Sequence, residues 1–536
     1  MGLSPSALAR DTPTLLLGEP QPFSFDSLKA LAESMSLKPW SAPGSGPAEV
    51  LARIDYDAHR AIRFDTNRAL FAQGPGQYPV IFYYLGTYFR SPVNMHVVDK
   101  GVSREIVFDE SYFHKPRNSP AHQLPPGNHF AGFSFQESRF DDQRTLDWQT
   151  NSWVSFLGGS YFRAVGEQYQ VGISARGIAV NVAHATQPEE FPGFTRIWFE
   201  TPSDPHSRAV TVYALLDGPS VCGAYRFVLH RDEGVIMDID ASLFLRKDMD
   251  RLGIAPLTSM FWFSKTAKPT VTDWRPEVHD SDGLAIWTGS GERIWRPLNN
   301  APRVMASAFT DNNPKGFGLL QRERNFDQYQ DNVYYERRPG LWVEPQGDWG
   351  EGSVQLVEIP TDDETHDNIV AMWVPKLAAR AAQKFHLRYR LHWLSDEPYP
   401  PSLARCVATR LGRGGRPGMS RPEGARKFVV EFKGGSLSKI PVGMTPLAVL
   451  SCSRGTLSDV NTEPVPDGKR DHWRANFDLS VEGKDPVELR LFLRLDDQAL
   501  SETWLYQYHP FAAEPGLYSE REVSACEEGR AGDGHG

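Results

Sequence analysis

From residue 80 onward the chain is a succession of short runs rich in β-branched and aromatic residues, each closed by Gly, Pro, Asp or Asn. Residues 80–88 (VIFYYLGTY), 105–108, 173–182, 208–216 (RAVTVYALL), 225–230, 354–359, 369–374 and 385–394 are the clearest. Such runs fit a pleated surface, and their boundaries fit turns. The run FHLRYRLHWL alternates apolar and polar residues with period two, as a strand with one buried face does. No long helical period intervenes, so the strands must pair antiparallel and stack as sandwiches. The totals agree: aromatics make up 12%, and there are 45 Gly and 41 Pro. The fold class predicted is all-β.

At 536 residues the chain exceeds what one core organises, so two domains are expected. Residues 1–22 read as a flexible leader. Two short helices are predicted at 25–35, with Asp26 as cap and Leu28 and Leu31 on one face, and at 47–54, with Pro47 in the first turn. A large β-sandwich spans 23–394. The segment 395–402 (SDEPYPPS) has three prolines and no apolar period, and reads as a linker. Residues 403–511 restart as a small immunoglobulin-like sandwich, with strands at 427–433, 447–451, 473–479, 488–495 and 502–508. Within it, 410–426 reads as a mobile Gly- and Arg-rich loop, and 512–536 as a disordered tail.

The net charge of −10 leaves no basic stripe for a phosphate backbone, so nucleic acid is excluded as a partner. No run approaches the roughly 20 apolar residues of a membrane helix, and an acidic chain gains nothing from an anionic lipid surface. A neutral substrate fits this balance. The four cysteines, Cys222, Cys406, Cys452 and Cys526, lack metal spacing. Cys406 and Cys452 either pair or stay as buried thiols. The first residues lack the basic start, apolar run and cleavage site of a signal peptide, so sequence alone leaves the compartment open. No nucleotide-binding glycine motif and no G-x-S-x-G elbow is present. No cofactor and no metal are expected, and the oligomeric state is open.

Carboxylates gather in two polar segments that abut strands. One is 273–282 (DWRPEVHDSD); the other is 360–368 (PTDDETHDN). Loops on a rigid sheet often carry chemistry. Three readings compete: solvated turns, a cation site, and an acid–base pair for glycoside cleavage. Aromatic and basic residues cluster around them, a mixture that offers ring faces for stacking and forks and amides for hydroxyls. The alternative is that these aromatics fill the sandwich core. The candidate substrate-binding set is Arg176, Trp262, Arg275, Trp295, Arg296, Asn299, Asn300, Gln321, Arg322, Trp342, Trp349, Glu364 and Asn368.

Several strings carry a resemblance. They are GGSYFRAVG (158–166), GISARGIAV (172–180), LGIAPLTSMFWF (252–263), RPEVHDSDGLAI (275–286), RIWRPLNN (293–300), GFGLLQRERNF (316–326), GSVQLVEIPTDDETHDNIVA (352–371) and LSETWLYQ (500–507). In this order they resemble the periplasmic glucan biosynthesis protein G/D family (OpgG/OpgD), on its D side. The resemblance implies a large galactose-mutarotase-like sandwich followed by an immunoglobulin-like one, and a periplasmic location. It also implies a role with β-1,2-glucan in osmoregulated periplasmic glucan biosynthesis. Some members of that family are inverting endo-β-1,2-glucanases, and at least one variant closes the chain on itself through an α-1,6 bond.

Carried over by position, Asp367 matches the family's general acid and Asp280 its general base. Tyr335 and Thr365 match positions of an indirect proton route through substrate hydroxyl and water. Relative to hydrolytic members, the segment 326–339 around Tyr335 is shortened and altered, which favours a sugar hydroxyl over water as acceptor. The expected activity is therefore an inverting glycosidase or a cyclising transglycosylase. The alternative is a non-catalytic glucan-binding scaffold.

Overall fold

The computed structural model describes residues 15–510, except 45, 141–145, 268–270 and 423. The expected tail, Cys526 and the first part of the expected leader lie outside the described residues. The chain divides into two compact units, Met1–Pro400 and Pro401–Gly536. Both are built of β-strands, as the alternating runs require.

The first unit stacks two sheets. One runs, neighbour to neighbour, through Gln21–Pro22, Val102–Glu105, Asn94–Asp99, Gly193–Glu200, Ala209–Asp217, Val221–Arg231, Val235–Leu245, Lys384–Leu394, Gly340–Gln346, Gly316–Leu320, Gly283–Trp287 and Arg293–Pro297. The other runs through Met305–Asn312, Glu351–Glu358, Ile369–Pro375, Leu252–Ser259, Ser174–Arg176, Tyr161–Ala164, Ser152–Leu157, Phe130–Gln136 and Val80–Tyr84. Pairing is antiparallel except between Asn94–Asp99 and Gly193–Glu200.

Aromatic rings fill the space between the sheets. Phe156 and Phe162 meet Phe227 edge-on at 5.3 and 5.4 Å, Phe133 meets Phe199 at 4.7 Å, and the buried Trp393 indole donates to the Ile173 carbonyl. These geometries add to the burial of the rings themselves. Two glycines make room for the largest rings. A Cβ on Gly316 would lie 2.4 Å from the Trp342 ring, and one on Gly283 2.3 Å from the Trp295 ring. Here the missing side chain is what lets a neighbouring strand carry tryptophan.

The helix Phe25–Ser36 buries Leu28 and Ala32 against Trp198, Leu215, Ala224 and Phe244. Its cap is Ser24, which exchanges hydrogen bonds with Ser27, and not Asp26. A serine hydroxyl at the extended residue before the first turn reaches the free N–H groups, whereas Asp26 already lies in that turn and pairs with Lys29 at 2.6 Å. The second predicted helix is shorter, Ala48–Ala52. Residues 15–22 of the expected leader are an ordered sheet edge. Gln21–Pro22 pairs with Val102–Glu105, and the Gly18 N–H donates to the Glu105 carbonyl at 2.8 Å.

The expected linker is anchored on the first unit as far as Tyr399. Glu397 is buried and paired with Arg293 at 3.0 Å, and the Tyr399 hydroxyl donates to Glu344. Of its two acids, Glu397 is an ion-pair partner while Asp396 is exposed and accepts the Glu397 N–H.

In the second unit, Arg405–Arg413, Ala425–Lys433, His472–Ser480 and Thr456–Pro464 form one sheet. Leu447–Cys452, Val487–Leu495 and Thr503–Tyr508 pair in a second set. Phe428 stacks on Phe477 at 5.0 Å and meets Trp504 and Tyr508 edge-on. The predicted loop 410–426 is a strand at its start, with Leu411 opposite Phe428 and Arg413 opposite Arg426. Arg410, Gly412 and Arg413 sit on this edge strand, where polar side chains are normal, and the Gly and Arg residues from Gly414 to Gly424 belong to the connection to Ala425–Lys433. The Cys406 thiol donates to the Ala408 carbonyl and the Cys452 thiol to the Gly455 carbonyl, so they do not pair. Among the described residues no helix is long and apolar enough to cross a membrane.

Candidate active site

One strand brings the two acidic segments together. Leu252–Ser259 runs on through Met260 into Phe261–Phe263. On one side it pairs with Ile369–Pro375, so that Ser259 faces Ile369 at the end of the segment 360–368. On the other, Phe261–Phe263 pairs with Val278–His279, and the Asp280 N–H donates to the Met260 carbonyl at 2.8 Å. Asn368 locks the arrangement. Its amide nitrogen donates to the Phe261 and Ile359 carbonyls at 2.9 and 2.8 Å, and its amide oxygen accepts the Phe261 N–H at 2.8 Å. Asn300 grips the other end of the same segment by exchanging hydrogen bonds with the Thr361 backbone.

Side chains alternate along Val278–His279, so His279 points into a cluster of Phe261 and Tyr329 while Asp280 points the other way. Asp280 is 6% exposed and ion-paired with Arg338. Burial raises its pKa, opposed chiefly by the Arg338 charge and hydrogen bond. Arg338 lies over the Tyr335 ring at 4.3 Å. The turn bearing both residues is braced from behind: Arg324 donates to the Glu336, Arg338 and Ser395 carbonyls at 3.0, 2.6 and 2.7 Å. Asp331 caps the turn by accepting the Tyr334 N–H at 2.6 Å. This holds Tyr334 at φ 59°, a left-handed conformation a tyrosine adopts only under such constraint.

Asp367 presents an exposed side chain, yet its pKa is pushed up to about 6, first by the surrounding protein and then by the negative charge of Asp280. The same interaction means that the two carboxylates from distant acidic segments face each other closely enough to resist sharing negative charge. Arg163 and Arg338 oppose that rise at both acids. Beside them, Tyr161 feels the charge of Asp367, and Arg176 stacks on it at 5.0 Å while paired with Glu189 at 3.1 Å.

Glu364 links the acid segment to the Tyr335 turn. One carboxylate oxygen accepts the Tyr335 hydroxyl at 2.8 Å and the Arg275 guanidinium at 2.6 Å. Burial and then Glu364 raise the Tyr335 pKa, so the phenol keeps its proton. Asp273 holds the other edge of Arg275 with two hydrogen bonds of 3.0 Å. Arg275 also lies near the rings of Trp262 and Trp274, at 5.9 and 5.8 Å. Trp274 is 69% exposed, an open indole next to the acid pair's supporting network. Thr365 is exposed on the acid segment, with its hydroxyl 3.1 Å from His366 Nδ1.

The structure thus gathers Asp280, Asp367, Tyr335, Glu364, Thr365, Arg275 and Trp262. Several other candidate substrate contacts are corrected. Trp342 is 1% exposed core, packed on Gly316. Trp295 is buried between Gly283 and Arg322, and Arg322 is committed to that ring at 3.7 Å and to Glu397. Arg296 is buried against Glu358 at 3.2 Å. The Gln321 amide bonds His279 and the Tyr335 carbonyl, whereas Asn299 is held through its backbone N–H to Glu358, with its side chain half-buried. Arg176 is buried against Glu189. Asn300 and Asn368 spend their amides on the acid segment.

Trp349 packs at a tilt on Trp373 and edge-on to Tyr389 before the eight-residue strand Glu351–Glu358, whereas the acid segment follows it, roughly 27 Å away. Sequence reasoning missed Arg338, Arg163, Tyr161 and Asp273 as site residues. Arg163 and Tyr161 stood within a matched string, but nothing local distinguishes them from surface residues.

Comparison with known proteins adds to this geometry. A family model described as periplasmic glucan biosynthesis protein, MdoG, matches residues 23–508. Glucans biosynthesis protein D 2 of Ralstonia nicotianae is 66% identical over 96% of this chain and 96% of its own. Glucans biosynthesis protein D of Stenotrophomonas maltophilia is 45% identical over 92% of this chain and 91% of its own. That of Xanthomonas campestris pv. campestris is 45% identical over 97% and 96%.

Proposed function

Because the chain belongs to the periplasmic glucan biosynthesis protein G/D family, on its D side, we propose that it is an anomer-inverting glycosidase or transglycosylase on β-1,2-glucan, acting in the periplasm. A role in glucan biosynthesis comes with the family; the reaction is our reading of the site. Asp367 is the general acid and Asp280 the general base.

The observation that carries this reading is that one strand holds both acidic segments, Asp280 through Met260 and the segment 360–368 through Ser259, while the protein around Asp367 and the charge of Asp280 push its pKa to about 6. At neutral pH about one molecule in ten then carries the proton that the leaving glycosidic oxygen needs, and more do when bound sugar displaces water. Asp280, paired with Arg338, is suited to remain the ionised partner. Inversion requires the acceptor's oxygen to attack the face opposite the leaving group while the base draws off its proton. Tyr335 donates to Glu364 and so presents only lone pairs to a relay of substrate hydroxyl and water, with the Thr365 hydroxyl at the same segment. If the acceptor is water, the glucan is hydrolysed. If it is a 6-hydroxyl of the same chain, inversion of a β bond gives an α-1,6 closure.

The test is to incubate the purified protein with linear β-1,2-glucan and weigh the products. A gain of one water per cleavage means hydrolysis, and loss of one water from the linear chain means cyclisation. Unchanged glucan, with Asp367→Asn binding it as well as wild type, refutes the enzymatic reading. It would instead support a scaffold that binds glucan through the exposed Trp274 and its Arg275 neighbour.

A further inference from the structure

Beneath Asp280 lies a titratable group that the reaction above does not use. His279 is fully buried, its ring stacked on Phe261 at 5.4 Å and edge-on to Tyr329 at 5.3 Å. Its Nδ1 is 2.9 Å from the Gln321 side-chain oxygen. Gln321 cannot turn its amide around, because its nitrogen already donates to the His279 and Tyr335 carbonyls at 2.9 and 3.2 Å. The atom facing Nδ1 is therefore an acceptor. Nε2 faces the Glu277 carboxylate at 3.3 Å, another acceptor. A neutral imidazole has one N–H; two facing acceptors require two.

The surrounding charges favour the same state. From its own segment Glu277 and Asp282 face the ring. Glu277 is held at 2.9 Å by Lys265, which also binds Glu323 at 3.0 Å, and the Asp282 carboxylate accepts the Arg322 and Glu323 N–H groups. Arg324 and Arg322 offset Asp282 from the neighbouring turn. Burial alone would discharge the ring, but the Glu277 hydrogen bond and charge, with Asp282, overcome it and raise its pKa. His279 in turn opposes the rise at Asp280.

We propose that His279 is a buried imidazolium, fixed between Gln321 and Glu277, and a positioning residue that keeps a permanent positive charge behind the Asp280 carboxyl. With Arg338 in front and His279 behind, Asp280 is flanked by cations on both sides of its strand. The proposal rests on the reading of Asp280 as base, but the ring's charge is measurable without turnover.

The experiment labels the histidines of the full chain with 13C and 15N and assigns the His279 resonances as those lost in His279→Gln. We expect shifts of a doubly protonated ring at pH 7 and above, where an ordinary histidine is largely uncharged. Glu277→Gln, which keeps an acceptor but removes the charge, should return the ring to a neutral tautomer within that range. A one-proton ring at pH 7 in the wild type, or a ring whose titration Glu277→Gln does not move, overturns the proposal. In turnover assays, His279→Gln should shift the acidic limb of the pH–rate profile upward, on the order of one pH unit, with KM little changed. A profile merely lowered in height counts against a charge effect. Absence of turnover in the wild type sinks the catalytic reading alone, and the ring measurement still decides the imidazolium.

Discussion

Replacing the proposed acid should make the protein more stable at neutral pH, and the size of the effect follows from the site. Asp367 has its pKa raised from 3.8 to about 6 by the protein crowded around it and by the charge of Asp280. The folded state thus holds the proton more tightly than the unfolded chain. Above about pH 6 the carboxyl is ionised in both states, and the fold bears the full cost of that charge; toward pH 4 the cost fades, because the folded carboxyl is protonated. A rise of about 2 units, from 3.8 to 6, corresponds to at most about 3 kcal/mol. The side chain is exposed, so solvent screening reduces this to about 1 kcal/mol. Asp367→Asn keeps the shape and removes the charge. Urea unfolding, followed by tryptophan fluorescence, should give a higher midpoint for the variant than for wild type at pH 7 and equal midpoints near pH 4. Carboxylates remote from Asp367 are common to both proteins and cancel in the difference; Asp280, whose charge repels Asp367, is relieved along with it. Equal midpoints at pH 7, or a gap that stays constant with pH, would refute the claim that Asp367 is an electrostatically strained acid.

Arg338→Met leaves Asp280 buried without its ion-pair partner, so turnover of β-1,2-glucan should fall by roughly 100-fold or more while glucan binding by calorimetry persists; near wild-type turnover would show that the pair is dispensable. Trp274→Ala removes an exposed ring, so the thermal midpoint should not move but KM should rise about 2- to 10-fold, the worth of one aromatic contact; an unchanged KM would place the sugar elsewhere. Asn368→Asp replaces a donor to the Phe261 and Ile359 carbonyls with an acceptor, and should lower stability by about 1–3 kcal/mol and turnover with it; a variant as stable as wild type would show that the acid segment is held by other means.

The strands were legible because their alternation and turn residues are local properties: 385–394 reads as half-buried, and Lys384–Leu394 is. The acid segments were legible as loops for the same reason. What brings them together was not, because it resides in the pairing of Leu252–Ser259 and Phe261–Phe263 with two strands distant in sequence. The substrate list failed where it relied on residue type alone. Trp295 and Trp342 look like sugar platforms until the glycines opposite them, Gly283 and Gly316, reveal rings lying flat in the core. A glycine inside an apolar strand run next to a tryptophan-bearing one was the available signal. Arg338 could not be singled out from Arg337 by sequence, since only the backbone turn decides which of the two reaches Asp280 and which stays at the surface beside Glu336.

The two acidic segments that carry the proposed acid and base hang from a common strand, whereas Tyr335 and Arg338 arrive on a separate turn with its own scaffold of Arg324 and Asp331. The two modules have independent backbones. The turn is nevertheless tied to both acidic segments, through Arg338 to Asp280 and through Tyr335 to Glu364, so remodelling residues 326–339 would change the setting of the proposed acid and base together with that of the acceptor.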